Sequence, residues 1–224
     1  MDALKSFSNL WEIIDKHKNG KKREKEKIFE TYISPAYMDI KLIYVDLMDI
    51  LSRVEENIIN DIIDVEEGVS IFKGKRSLYQ PLREELRSKS SVIFSNTQKN
   101  DDLKMFAVGI YGILSGGEGG TEWIHNEIII DNYLNDGKLS GEIRLIKGGH
   151  TLIDLIKRFD NAYSPKRING VLRYNSRQKI KSDFIFSIQQ QKRSMEKYWK
   201  LITFSYEKQK YKTYIEDQHC LSGK

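Results

Sequence analysis

The chain of 224 residues is long enough to bury a core, and its 39% hydrophobic and 31% charged residues read as globular and well hydrated, which excludes a disordered or a membrane-embedded chain. Its 37 Lys+Arg against 32 Asp+Glu leave a net charge of +5, which permits nucleic-acid contact without demanding it. The one cysteine, Cys220, excludes an intrachain disulfide and a multi-cysteine zinc site, and points to a reducing, cytoplasmic setting.

The expected fold is all-α: a helical bundle with two long helices and a less regular, glycine-rich middle segment. Only 3 prolines interrupt the chain. Residues 1–215 read as a single helical domain with a sub-boundary near 164–175, and 216–224 as a frayed tail. No basic stretch followed by an apolar run opens the chain, so no signal peptide is expected. No apolar run approaches the roughly 20 residues that cross a bilayer. Richness in Ile, Lys and Asn matches an AT-rich, bacterial or phage genome.

A first helix is expected from Asp2 to about His17, where Leu4, Phe7, Trp11 and Ile14 recur at spacings of three and four and Asn19-Gly20 supplies the stop. The basic run Lys21, Lys22, Arg23, Lys25 and Lys27 leads into a long helix from about Lys22 to Asp64, kinked or interrupted near Ser34-Pro35. Ile40, Ile43, Leu47, Leu51, Val54, Ile58 and Ile62 carry its apolar stripe. At ~1.5 Å per residue, the part after the proline spans roughly 40 Å.

Gly68 to Gln80 reads as a loop punctuated by Gly68 and Gly74. A helix from Pro81 to about Phe94 follows. Asn100-Asp101-Asp102 then caps a buried-type helix carrying Leu103, Phe106, Ala107, Ile110, Tyr111 and Leu114. Gly116 to Gly120 form a flexible loop, and Thr121 caps a helix containing Trp123, Ile124, Ile128 and Leu134, which Asn135-Asp136-Gly137 ends. Ser140 to Ile146 alternate weakly, as a short strand or an extended loop. A helix from Thr151 to Phe159 precedes the boundary at Ser164-Pro165. From Ser176 to Tyr214 one helix of ~35 residues, roughly 50 Å, carries Ile180, Phe184, Ile188, Met195, Tyr198, Ile202 and Tyr206 in its stripe. Gln189-Gln190-Gln191 interrupt that stripe and mark where the helix leaves its core.

Several segments carry candidate chemistry. The glycine cluster offers Gly117, Gly119, Gly120, Thr121 and His125 as a ligand site, because free N–H groups at a helix start favour an anion such as phosphate. The lysine and hydroxyl of a phosphate-binding loop are missing, and Glu118 opposes an anion. His17, His125, His150 and His219 are scattered without metal-ligand spacing, so no metal is expected, and no motif calls for a cofactor. Asp39, Asp46 and Asp49, with Glu55 and Glu56 beyond, read as a solvated face or one meeting a basic partner. On the last helix, Lys192, Arg193, Lys197 and Lys200 interleave with Tyr198, Trp199, Phe204 and Tyr206, a pattern suited to phosphates and stacked bases, or to a helix core with a wet lysine face.

Arg144 and His150 are separated by five residues. This spacing resembles the short signature of HEPN-type helical ribonucleases, in which an arginine and a histidine meet at a dimer interface to cleave RNA. The resemblance implies a catalytic pair, with His150 as general base and Arg144 stabilising the phosphate. Leu145 stands where that signature usually has a polar residue, and Gly148-Gly149 break the helix that should carry the pair.

The leading functional expectation is a helical interaction or regulatory protein, acting through self-association or through a protein partner. The alternative is an RNA- or DNA-acting protein using Arg144 and His150 or the basic last helix. A sensor of small anions at residues 116–125 is a third reading. No membrane partner is expected.

Overall fold

A computed structural model describes residues 26–97, 100–115, 121–145, 151–164, 166–168, 171–173 and 175–214. The expected helix at Asp2–His17, the glycine loop and Cys220 lie outside the described residues. Among those described, seven α-helices and one short antiparallel hairpin form an all-α architecture.

Helix α1 spans Ser34–Ile59 and is preceded by a π-helical turn at Phe29–Ile33. Pro35 sits in the first turn of α1, where its missing N–H costs nothing, and the expected interruption takes the form of the π turn. The helix stops at Ile59, short of the expected Asp64, and Asp61 adopts φ 55 just beyond it. Asp64 instead caps the next helix, its Oδ1 accepting the Glu67 N–H at 2.8 Å.

That helix, α2 (Val65–Leu78), replaces the loop expected at Gly68 to Gln80. Each interior glycine costs roughly 1 kcal/mol of helix propensity. Val65, Val69 and Phe72 outweigh this by burying one face. Gly68 lets that face approach α1 closely, since a Cβ there would lie 3.0 Å from Val54 and from Ile58.

Helix α3 (Gln80–Asn96) carries Pro81 in its first turn. The Asn100 side chain accepts the Leu103 N–H at 3.2 Å and starts α4 (Asp101–Ser115), whose residues from Met105 to Leu114 are all buried. Helix α5 (Thr121–Asp136) ends where Gly137 takes φ +68. Gly137→Ala is expected to cost about 1 kcal/mol in urea unfolding, because an L residue is strained at that φ. Residues 139–145 lack regular structure, as the extended-loop reading had it, while Ile146 lies outside the described residues. Helix α6 runs Thr151–Tyr163, past the expected end at Phe159. At the expected boundary, β1 (Lys166–Ile168) pairs antiparallel with β2 (Val171–Arg173), Ile168 opposite Val171.

Helix α7 (Arg177–Tyr214) is 38 residues long and runs antiparallel to α1. Lys181 meets Asp61 at 2.6 Å, Gln189 and Lys192 meet Glu55 at 2.7 and 2.9 Å, and Tyr214 meets Glu30 at 3.1 Å. Between them lies a column of rings: Tyr44 on Trp199 at 4.7 Å, Trp199 on Tyr37 at 5.6 Å, and Tyr37 on Tyr206 at 4.0 Å, all stacked. Contrary to the expectation from sequence, the glutamines at 189–191 do not end the core contact of α7. Gln191 is itself buried, and Met195, Tyr198, Leu201 and Ile202 continue the buried face. Helix α4 packs across α7 more extensively than any other pair of elements in the described structure.

Candidate functional site

Two faces of α1 carry apolar rows. Ile40, Ile43, Leu47, Leu51, Val54 and Ile58 face the core and are almost fully buried. On the opposite side stand Met38, Leu42 and Val45, which are 52%, 66% and 56% exposed. Spacings of four and three put these three on one outward strip. Beyond Val45 the strip turns polar with the Asp49–Arg53 ion pair. Beside it, α1 and α2 enclose a groove of about 200 Å³ lined by Ile50, Arg53, Val54, Asn57, Ile71 and Lys75. Asp46 borders this side, accepting a hydrogen bond from the Tyr79 hydroxyl and lying 3.8 Å from Lys75. Burial, and then the bond to Asp46, push the Tyr79 hydroxyl up to about 12. Of the acidic residues on this side of α1, Asp46 thus meets groups of its own chain.

The densest polar cluster joins α4, α5 and α7. Asp102 is 1% exposed, and its Oδ1 accepts from the Tyr133 hydroxyl at 2.6 Å. Lys208 lies 2.9 Å from Oδ1 and Lys212 2.7 Å from Oδ2. Lys208 also donates to the Gly137 carbonyl at 2.7 Å and lies over the Tyr133 and Phe204 rings. Burial alone would raise the Asp102 carboxyl, but hydrogen bonds from Lys212, Tyr133 and Lys208 outweigh it and hold the group below its ordinary value. Tyr133 is pushed well above the ordinary tyrosine value by burial and by Asp102. Each carboxylate oxygen of Asp102 faces an ammonium group of α7, so the cluster ties three helices together around one buried carboxylate.

Burial raises Tyr37 and Tyr44, with Glu207 and Glu196 respectively adding to it. An alkaline titration followed by tyrosinate absorbance is therefore expected to show a large group ionising above 10, at or beyond loss of the fold. A titration complete near 10 with the fold intact would contradict the stacked column.

Arg144 lies in a non-helical segment that Asn126 anchors by donating to the Arg144 carbonyl at 2.8 Å. Its guanidinium is largely exposed and 3.7 Å from Glu142. His150, Gly117, Gly119 and Gly120 lie outside the described residues, and Thr121 and His125 fall within α5 at positions whose side chains are not described. On α7, Lys192 is committed to Glu55 and Lys197 to Asp131 at 3.0 Å, while Arg193 and Lys200 point to solvent. The interleaved aromatics serve the chain's own packing: Tyr198 is buried, Trp199 and Tyr206 belong to the stacked column, and Phe204 meets Tyr133 edge-on.

Among the described residues, no group of histidine, cysteine and carboxylate side chains is arranged to hold a metal ion, and no helix is long and apolar enough to cross a membrane. Set against protein-family models, curated proteins and solved structures, the chain matches none.

Proposed function

We propose that the protein is a helical interaction protein that associates reversibly with a second copy of itself through the outer face of α1. The observation that supports this is the exposed row Met38, Leu42 and Val45 on a helix whose other face is already satisfied. A row on one helix is self-complementary: a twofold axis at Leu42 sets Met38 of each copy near Val45 of the other. Seven residues of helix span about 10 Å. That contact falls short of the roughly 800 Å² per partner of a stable complex, so association is weak and concentration-dependent. The pairing of Lys192 and Lys197 with carboxylates of their own chain weakens the nucleic-acid reading by comparison.

Sedimentation velocity at rising concentration tests the proposal. The average mass of the full chain is expected to rise with concentration, and Leu42→Asp to remove that rise with the helical circular dichroism unchanged. A concentration dependence identical in both proteins would reject the α1 face.

A further inference from the structure

We infer that the hairpin β1–β2, together with the first turn of α7, is a binding surface for duplex DNA, held through the phosphates rather than the base sequence. This surface is separate from the outer face of α1, and neither reading depends on the other. Between Asp160 and Asp183 the chain carries six cations and no carboxylate. Removing those six from the 37 Lys+Arg leaves 31 against 32 Asp+Glu, so the positive excess of the whole chain resides in this one segment. Lys166, Arg167 and Arg173 belong to the strands, and Arg177 and Lys179 open α7. The sixth, Lys181, is committed to Asp61. The middle of α7, where Lys192 and Lys197 meet carboxylates, is not part of the surface.

The fold places these charges where the chain itself gains nothing from them. Lys166 and Arg173 are register partners across the hairpin, and like charges at facing positions destabilise a strand pair. Arg177 and Lys179 are exposed in the first turn of α7, which holds no acidic residue and lies at the positive end of the helix dipole. Among the described residues, the two strands pack extensively only against each other. A two-stranded hairpin without further support is marginally stable in water. A bound polyanion offsets all three costs at once. Shape favours a DNA duplex as that polyanion. The major groove of B-form DNA, roughly 12 Å wide, admits a two-stranded ribbon, whereas the major groove of A-form RNA is too narrow for side chains to read. Phosphates border the groove on both sides, which suits cations on both strands and on the adjoining helix turn.

Fluorescence anisotropy of a labelled, random-sequence DNA duplex titrated with the full chain, between about 50 and 200 mM salt, tests the inference. Five phosphate contacts predict a slope of about −4.5 for the logarithm of the binding constant against that of the salt concentration. The triple variant Lys166→Gln, Arg167→Gln, Arg173→Gln is expected to lose about 2.7 of that slope and on the order of a hundredfold in affinity near physiological salt, with the helical circular dichroism unchanged. These substitutions remove a like-charge opposition, so weakened binding does not arise from a weakened hairpin. The pair Arg193→Gln and Lys200→Gln, on the solvent side of α7, is expected to bind as the unmodified chain does. The inference is overturned if the duplex does not bind at low salt, or if the triple variant binds it unchanged. Equal loss in the Arg193 and Lys200 pair would move the surface to the middle of α7 and overturn it too. A single strand of the same sequence bound as tightly as the duplex, or phosphatidylserine vesicles bound in preference to it, would replace duplex DNA as the partner.

Discussion

Gly112→Ala is expected to destabilise the fold by about 3 kcal/mol, at the upper end of the cost of overpacking a core. A Cβ on Gly112 would lie 2.3 Å from Cδ1 and 2.5 Å from Cγ of Tyr198, whose ring is 1% exposed. The clash reaches the root of the ring, so rotating the side chain does not relieve it. One turn earlier, a Cβ on Gly109 would lie 2.5 Å from Ile202 Cγ1 and 3.1 Å from the Tyr198 carbonyl oxygen. Together the two glycines set how closely α4 approaches α7, and a methyl at either pushes the helices apart along the most extensive contact in the bundle. Gly74 of α2 is the internal control: a Cβ there meets nothing within 4 Å. Gly74→Ala is expected to stabilise by up to about 1 kcal/mol through helix propensity and the unfolded chain. Urea unfolding midpoints of the three variants decide the matter, and a Gly112→Ala midpoint at or above that of the unmodified chain would contradict the packing.

The second large effect is expected for Asp102→Asn. The substitution keeps the shape and removes the charge that Lys208 and Lys212 share, leaving two half-covered ammonium groups without their counterion. Breaking a buried ion pair on one side costs about 3 kcal/mol at the lower end of the usual range, which suits partners that keep some solvent. The effect carries a pH signature. An unfolded aspartate takes up its proton near 3.8, whereas the folded Asp102 is held below that value. The stabilisation is therefore complete above 3.8 and is lost as the pH falls through the folded value. Asp102→Asn is expected to lack this component of acid unfolding, so its deficit relative to the unmodified chain narrows below 3.8. A deficit that stays constant down to strongly acid solution would show that Asp102 is not the titrating group.

The long helices were legible because their stripes are local. Ile180, Phe184, Ile188 and Met195 recur at helical spacing over a stretch with neither glycine nor proline, and the structure buries all four. Gly68 and Gly74 misled for the opposite reason. Glycine reads as a breaker locally, while here Gly68 is the point of close contact between α1 and α2, which only the partner helix reveals. Gln191 misled likewise, because a polar side chain within an apolar stripe remains buried when the helix is packed on both sides of it. The outer row was visible in principle: Met38, Leu42 and Val45 fall off the main stripe at spacings of four and three, a second apolar row on the same helix. The Asp102 cluster was not legible, since its carboxylate and its lysines are more than a hundred positions apart in the chain. Of the expected ligand and catalytic residues, Arg144 alone among the glycine-loop and Arg144–His150 sets has a described side chain, and it stands outside any helix.

The proposed pairing through α1 depends on α1 and α7 packing against each other within one chain, since this satisfies their inner faces and leaves the outer row of α1 as an exposed apolar surface. Cross-linking Glu55→Cys to Gln189→Cys with a short bis-maleimide, in a Cys220→Ser background, tests this most directly. Mass spectrometry of the product at low protein concentration is expected to show the bridge closed within a single chain, as the 2.7 Å contact between the native side chains requires. A bridge that joins two chains would mean that the long helices pair between copies, and the interaction surface would then be their inner seam rather than the outer face of α1.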